Sequence, residues 1–413
     1  MTGVASRLAP LLTKIMLGEG REAADELPIQ VRAWDGSSTG PDGAPAFVIR
    51  NRRALRRLLW KPGEMGLARA YVAGELDIEG DVFAALDAVQ QVMRSGDRPI
   101  RLSADDKRDI VRTAVMLGAV GPEPKPPPEE FSPGRAAEPM AESAAFLVRL
   151  FGEGLAHGTG LWDQAVDLDE ARDAAHRSVA ERLGLFPGAR LLDLSCGWGA
   201  FARYAAAECG ARVVGLTRTP EQADHVRAVA AEVDGDVQAR GWDLAEAGDG
   251  PYDAIVGLAG IESVDRATAR LYGLLAPGGR LVLHQPARRP GPHQIRRTFT
   301  TSYMFPEDGE LRPLGAIVGE LEDAGLEVRA VGALREHHAR TLRAWAANLQ
   351  RHWAECAELA GTGRARVWLL YLAASALAFE SGRIGMNEIC AIRRDRDGRA
   401  GTTLVEGRAV ISR

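Results

Sequence analysis

The residues whose types and spacing best suit chemistry lie in one stretch, Asp193-Leu194-Ser195-Cys196-Gly197-Trp198-Gly199, between an apolar run and a helical pattern. Ligands of open α/β sheets bind beyond the carboxyl ends of the strands, near the point where strand order reverses. Glycines in such a turn let the backbone approach a ligand, and the helix that follows offers free N–H groups. A dinucleotide turn carries a third Gly where this chain has Ala202, which such a site tolerates. The G-x-G spacing alone therefore leaves a nicotinamide dinucleotide open, and a tight packing turn fits it equally. Two further strand ends add candidates. One reads VVGLTRTPEQ and places Thr217 and Gln222 at the mouth of the same crevice; the next carries Gly241-Trp242-Asp243. An aromatic face beside a carboxylate suits an adenine ring and its amino group, although Trp242 also fits a core position. A late strand, Leu281 to His284, opens after Pro277-Gly278-Gly279.

Such residues need a scaffold, and the surrounding pattern supplies one. Strands are expected at 190–194, 212–216, 254–258 and 280–284, and helices at 171–185, 199–208, 221–233 and 265–275. Strands alternating with helices of ten or so residues imply βαβ units and a parallel sheet covered on both faces. The fold class is α/β, a doubly wound Rossmann-like domain. A smaller α+β domain is expected before it, with strands at 30–35 and 46–50 around the turn GSSTGPDGAP. Between them, Gly121 to Pro139 reads GPEPKPPPEEFSPGRAAEP, which cannot continue a helix or a central strand. The expected division is an N-terminal domain over 1–120, a Pro-rich linker over 121–140 and a catalytic domain over 141–413.

At 413 residues the chain is long enough for two domains, and 46% hydrophobic with 26% charged residues excludes wholesale disorder. The net charge of −5 argues against a nucleic-acid binder, which normally shows a basic excess. The four cysteines, Cys196, Cys209, Cys356 and Cys390, match neither a disulfide framework nor a zinc spacing, so a reducing cytoplasm and no metal are expected. Met1 to Glu19 lacks the layout of a signal peptide. The longest apolar run, Val367 to Phe379, is too short to span a bilayer and reads as a buried helix. Arg50 to Lys61, RNRRALRRLLWK, has six basic residues interleaved with Leu and Trp, which suits an amphipathic segment on an anionic membrane surface; a solvated basic face with its leucines in the core fits the same composition.

The run from 190 to 284 resembles S-adenosylmethionine-dependent methyltransferases, specifically the cyclopropane-fatty-acid synthase family. The family's D-x-G-C-G-W-G is Asp193 to Gly199, its V-x-G-x-T with E-Q is Val214 to Thr217 with Glu221-Gln222, and its L-L-H ends in Leu283-His284. Glu262 matches the family's catalytic Glu. Tyr303-Met304-Phe305-Pro306 resembles Y-x-F-P, and His337-His338-Ala339-Arg340-Thr341-Leu342 resembles H-Y-x-x-T-L. Arg366-Val367-Trp368 to Gly382-Arg383-Ile384 resembles its closing helix, and PGEMGLARAYVAGELDIEGDVFAAL its N-terminal module, so the similarity spans nearly the whole chain.

The resemblance implies S-adenosylmethionine as cofactor, bound by Asp193, Gly197, Gly199, Thr217, Gln222, Trp242 and Asp243. It implies an unsaturated phospholipid as substrate, a peripheral membrane surface on the cytoplasmic side, and either a homodimer or a heteromer with a paralogue. Catalytic roles fall on Glu262, His284 and His338, around a bicarbonate ion that serves the family as base. The departures put that cage in question. The loop's first Gly is Ser195, the His after the catalytic Glu is Ser263, and the Tyr of H-Y-x-x-T-L is His338. The family's Tyr-Ser-Cys falls at His157-Gly158-Thr159-Gly160 with no Cys, and its H-Y-D-x-x-N-x-F is absent from Glu142 to Phe151. Bicarbonate is then expected to be held by fewer donors, and the product, cyclopropane or methylene, stays open.

Overall fold

A computed structural model describes residues 3–17, 29–94, 104–131, 142–231, 235–241, 243–248, 250–258, 264–291, 299–305, 311–399, 402–405 and 408–411. The chain forms two compact units: Met1–Ser143 with Ile295–Glu307 and Leu349–Leu377, and Ala144–Gln294 with Asp308–Asn348 and Ala378–Arg413. The division differs from one at a linker. Two segments distant in sequence join the first unit, which short-range patterns do not reveal.

In the first unit, β1 (Gln30–Arg32), β2 (Ser38–Thr39), β3 (Ala46–Ile49) and β4 (Leu76–Glu79) form a sheet in the order β2-β1-β3-β4. The helix Arg52–Trp60 follows β3, and Asn51 caps it by accepting the Arg53 N–H. Ala54, Leu55 and Leu58 on this helix are fully buried. Of the two readings of 50–61, the core therefore takes Leu55 and Leu58, while Leu59 is half-buried and Trp60 exposed. Arg57 is buried too, with its guanidinium 2.8 Å from the Glu75 carboxylate and bonded to the Lys125 carbonyl at 2.8 Å. Arg52, Arg53, Trp60 and Lys61 remain exposed.

The described half of the Pro-rich stretch, 121–131, is a strap on this unit rather than a free linker. Trp60 Nε1 donates to the Gly121 carbonyl at 3.0 Å. Glu130 is buried and accepts from Arg69 at 2.7 and 2.8 Å and from the Tyr303 hydroxyl at 3.0 Å. Buried charges persist only when paired in this way. Residues 132–140 of the expected linker lie outside the described residues.

The second unit is built on seven strands: β5 (Arg190–Asp193), β6 (Arg212–Thr217), β7 (Asp236–Gly241), β8 (Tyr252–Gly257), β9 (Leu275–Arg288), β10 (Glu327–Ala333) and β11 (Ile384–Ile392). Their order is β10-β11-β9-β8-β5-β6-β7. The five strands from β7 to β9 run parallel, and β11 pairs antiparallel with both β9 and β10. Strand order reverses between β5 and β8, which makes the end of β5 the switch point. Leu192, Ile255, Leu281 and Leu283 pack on one face of the sheet, and Leu191, Val213, Val256 and Val282 on the other. This is the doubly wound α/β class read from the alternation of elements.

The helix Leu168–Leu183 starts at Asp167, whose carboxylate accepts the Glu170 N–H, and stops at Gly184 with φ +63°. The buried run Val367 to Phe379 lies in the helix Thr362–Glu380. Two further strands, β12 (Thr402–Val405) and β13 (Arg408–Ile411), form a hairpin. Among the described residues no helix is long and apolar enough to cross a membrane.

Candidate active site

The first half of the site is made mostly of backbone. At the end of β5 the chain crosses the switch point through hydrogen bonds to both neighbouring strands: Leu194 N–H to the Val256 carbonyl at 2.8 Å and Cys196 N–H to the Leu216 carbonyl at 3.1 Å. Ser195 replaces a glycine without strain, since Leu155 is the one non-glycine residue at positive φ among the described residues. Its hydroxyl accepts the Leu258 N–H at 2.9 Å and so ties the loop to the end of β8. Gly199, at φ +87°, opens the helix Ala200–Cys209, and a Cβ there would lie 2.9 Å from Val226. Gly215 is needed for a similar reason: a Cβ would meet the Cys196 sulfur at 2.4 Å. Gly197, at φ +53°, differs. A Cβ on it would meet nothing nearer than the Ser195 carbonyl at 3.9 Å, so space lies open in front of this turn.

Around that space stand the predicted residues of three adjacent strand ends. Asp193 is buried, and burial pushes its carboxyl up to about 7 against the opposing pull of the Ser195 N–H. Thr217 is also buried, and its hydroxyl donates to the Arg240 carbonyl at 3.0 Å, bracing β6 against β7. Gln222 sits in the first turn of the helix Pro220–Ala230, capped by Thr219, and its side chain accepts the Arg218 N–H at 3.0 Å. Asp243 is exposed and caps the short 3₁₀ turn Leu244–Ala247 through one carboxylate oxygen. Trp242 lies outside the described residues. Open space at a positive-φ glycine, beside carboxylates and a helix N-terminus, fits a nucleoside-bearing cofactor.

The second half is made of side chains from separate parts of the chain. His284, near the end of β9, is directly opposite Glu388 of β11. Its Nε2 lies 3.3 Å from the Glu388 carboxylate, whose other oxygen pairs with Arg182. His284 Nδ1 is enclosed and has no hydrogen-bond partner among the described residues. His338 lies on the helix Arg335–Arg351, with its Nδ1 2.8 Å from the Thr159 hydroxyl. Thus the residue standing in place of the family's Tyr pairs directly with the stretch that replaces Tyr-Ser-Cys.

The same helix holds that stretch at three more points. Thr341 accepts from the Gly160 N–H and the Trp162 indole, and His337 Nδ1 accepts the Trp162 N–H at 2.9 Å. His157 stacks on Trp345, with ring centroids 5.4 Å apart, and Phe151 meets the same indole edge-on at 4.7 Å. Burial, with the Arg218 charge, holds His157 down at about 4. Burial, with His157 and His284 nearby, holds His338 at about 3. Both imidazoles are therefore neutral at pH 7.

The structure brings His284 and His338 into one neighbourhood, whereas Glu262 and Ser263 lie outside the described residues. Sequence reasoning missed Glu388, Trp345 and the pairing role of Thr159. The strand pairing of β9 with β11 joins residues about a hundred positions apart, so no local signal marks Glu388. Among the described residues no group of three or more His, Cys, Asp or Glu is arranged to hold a metal ion.

A doubly wound sheet with a glycine turn at its switch point is a nucleotide-cofactor site, and the solved structures it resembles place the chain in one class of such proteins, the S-adenosylmethionine-dependent methyltransferases. Within it, residues 143–389 match the profile of mycolic acid cyclopropane synthetases, and the chain belongs to that family. It is 33% identical over 411 residues to the "Probable fatty acid methyltransferase Rv3720" of Mycobacterium tuberculosis, covering 91% of this chain and 93% of that one. The solved structure of the cyclopropane synthase MmaA2 from Mycobacterium tuberculosis superposes with a TM-score of 0.56 at 27% identity, covering 60% of this chain and 94% of that one. A mycolic acid cyclopropane synthase, CmaA1, complexed with SAH and CTAB, gives 0.55 at 26% identity, over 60% and 94% of the two chains. The resemblance drawn from the motifs is borne out, and the chain is a methyltransferase that takes S-adenosylmethionine and modifies lipids.

Proposed function

We propose that the chain methylates the double bond of an unsaturated fatty-acyl chain carried by a phospholipid, giving a cyclopropane or a methylene- or methyl-branched product. The observation that supports the fatty-acyl part of this reading is similarity, over 91% of the chain, to the protein named "Probable fatty acid methyltransferase Rv3720". When bound, the cofactor supplies an electrophilic methyl group. The chain's own residues do the rest. The turn at Gly197 and Gly199 admits the cofactor, while Asp193 and Asp243 offer acceptors to its polar groups. An alkene is a weak nucleophile and needs a dry, oriented pocket, and the buried rings of Phe151, Trp345 and Phe379 give His157 and His338 apolar surroundings of that kind. Glu262 and His284 belong to this reading as a carboxylate that stabilises the cation and an imidazole that orients the groups around it.

Mass spectrometry of lipids from a host expressing the chain should show phospholipid acyl chains heavier by about 14 mass units, the mass of the added methylene. Retained cofactor binding with no such shift in any unsaturated lipid would favour a non-catalytic paralogue that partners an active enzyme.

Membrane contact belongs to the same proposal, through Arg52, Arg53, Trp60 and Lys61, which are the exposed members of the basic segment. Charge reversal at Arg52 and Arg53 should weaken cosedimentation with anionic vesicles, more at low salt where screening is weak. Unchanged cosedimentation would mark the segment as a solvated helix face.

A further inference from the structure

The imidazoles of His157 and His338 both contact Trp345, and His284 of β9 is near enough to act electrostatically on His338; among the described residues, most of their ring nitrogens have no hydrogen-bond partner. His284 is 2% exposed, and its Nδ1 has no partner among the described residues. His157 makes ring contacts to Phe151 and Trp345 and no hydrogen bond to a described residue. His338 spends Nδ1 on Thr159, and its Nε2 bonds to no described residue. Its ring is wedged edge-on against Phe379, with centroids 4.6 Å apart, and against Trp345 at 6.4 Å. Glu388 is already paired with Arg182 and His284, so that carboxylate is not free to act as a base.

We propose that His338 Nε2 is the proton acceptor of the reaction, and that Thr159 is the positioning residue that fixes its tautomer. The inference rests on the alkene-methylating reading. In that reaction the alkene's π pair forms the new C–C bond to the methyl group while the S–CH3 bond breaks, its electron pair staying on the sulfur of the departing thioether, and a cation is left on the neighbouring alkene carbon. A C–H bond then breaks. When that bond lies in the new methyl group, its electron pair closes the three-membered ring; after a 1,2-hydride shift has moved the cation to the methyl-bearing carbon, the same pair forms the methylene double bond; in either case the proton goes to the Nε2 lone pair, and the imidazolium later returns it to water. No oxidant or further reactant is consumed.

For Nε2 to accept, Nδ1 must carry the resting proton, and the Thr159 hydroxyl oxygen 2.8 Å away is placed to accept it. A weakly basic imidazole serves here because a carbocation's C–H is a far stronger acid than imidazolium. Its weak basicity also keeps it free of protons before the reaction.

Nitrogen-15 NMR of the full chain labelled at histidine, recorded without cofactor, reads the tautomer directly. His338 should show a protonated Nδ1 and an unprotonated Nε2. Thr159→Val should scramble that assignment and Thr159→Ser should restore it. A protonated Nε2 in the wild type overturns the proposal.

With cofactor and unsaturated phospholipid vesicles in buffer stripped of bicarbonate, the wild type should keep its turnover. His338→Ala should lose on the order of 10²-fold, with cofactor affinity by calorimetry changed less than about twofold because the group acts in chemistry and not in cofactor binding. Turnover that depends on added bicarbonate would make the anion the base and overturn the assignment. A wild type that methylates no lipid, with the tautomer as expected, removes the alkene reading itself and the base assignment with it.

Discussion

The two halves of the site are built by opposite means. At the ends of β5, β6 and β7 the cofactor side is shaped by backbone: a turn through Gly197 and Gly199, amides tied to neighbouring strands, and few side chains that reach far. Around β9 and β11 the reaction side is shaped by side chains brought from positions 157–162, 284, 338–345, 379 and 388. A backbone site tolerates almost no added atoms, because a Cβ in the wrong place fills the ligand's space. A side-chain site tolerates exchange if the partners change together, and Thr159 with His338 is such an exchange. Different responses to substitution should follow.

The largest effect is expected on the backbone side. Gly197→Val puts a branched side chain into the space open in front of the turn, at a φ of +53° that β-branched residues rarely adopt. Cofactor affinity measured by calorimetry should fall by on the order of 10²-fold or more, about 3 kcal/mol in binding free energy. Unchanged affinity would place the cofactor elsewhere. Gly199→Ala, by contrast, clashes with Val226 inside the fold and should lower the melting temperature first.

This division also explains what the sequence made legible. The glycine turn is contiguous and its strand–turn–helix context is local, so Asp193, Gly197 and Gly199 could be read directly, as could the alternation behind β5, β6 and β8. Thr217 was read as a crevice residue, yet its hydroxyl is spent on Arg240, a partner 23 positions away that no motif names. β10 and β11 escaped because they pair antiparallel after helices that carry no βαβ rhythm, and with β11 went Glu388. The leucines at 55 and 58 were ambiguous for a different reason. Amphipathicity states that a face is apolar and leaves open whether a core or a bilayer covers it. The first unit answered with its own core, and it also drew in 295–307 and 349–377, which no short-range pattern assigns.

An intermediate effect should separate the two halves by pH. His157, His338 and His176, the last on the helix Leu168–Leu183, are held at about 4, 3 and 3, below the ordinary 6.5, chiefly by burial and further by Arg218 for His157, by the nearby His157 and His284 for His338, and by Arg172 and Arg203 for His176. Each is neutral when folded and takes up a proton more readily when unfolded. Their contribution is therefore fully present above about pH 6.5, and it is lost as pH falls through that value towards 4 and 3. Denaturant midpoints should fall steadily between pH 6.5 and 4. His157→Phe, which keeps a ring against Trp345 but cannot be protonated, should flatten part of that slope. Asp193 responds in the opposite sense. Burial raises its carboxyl to about 7, so its contribution is present at low pH and fades as pH rises from about 4 through 7. A midpoint that stays flat from pH 6.5 to 4 would show that the imidazoles are not enclosed as the structure has them.

The smallest effect concerns Thr217, where the two halves' logics meet in one residue. Its position at the end of β6 makes it a candidate cofactor contact, while its buried hydroxyl donates to the Arg240 carbonyl and closes β6 onto β7. Thr217→Val keeps the shape and the β-branch and removes only the hydroxyl. As a brace, the hydroxyl is worth about 1 kcal/mol, the usual net value of one neutral hydrogen bond. Its loss should shift the denaturant midpoint by that amount and leave cofactor affinity within about threefold, a difference under 1 kcal/mol. As a direct cofactor contact it would give the reverse, with affinity reduced about tenfold or more and the midpoint almost unmoved. Both quantities can be measured on one preparation. A fall in affinity without a fall in stability would show that the cofactor side also relies on side chains, and the contrast with the histidine side would then narrow to the glycine turn alone.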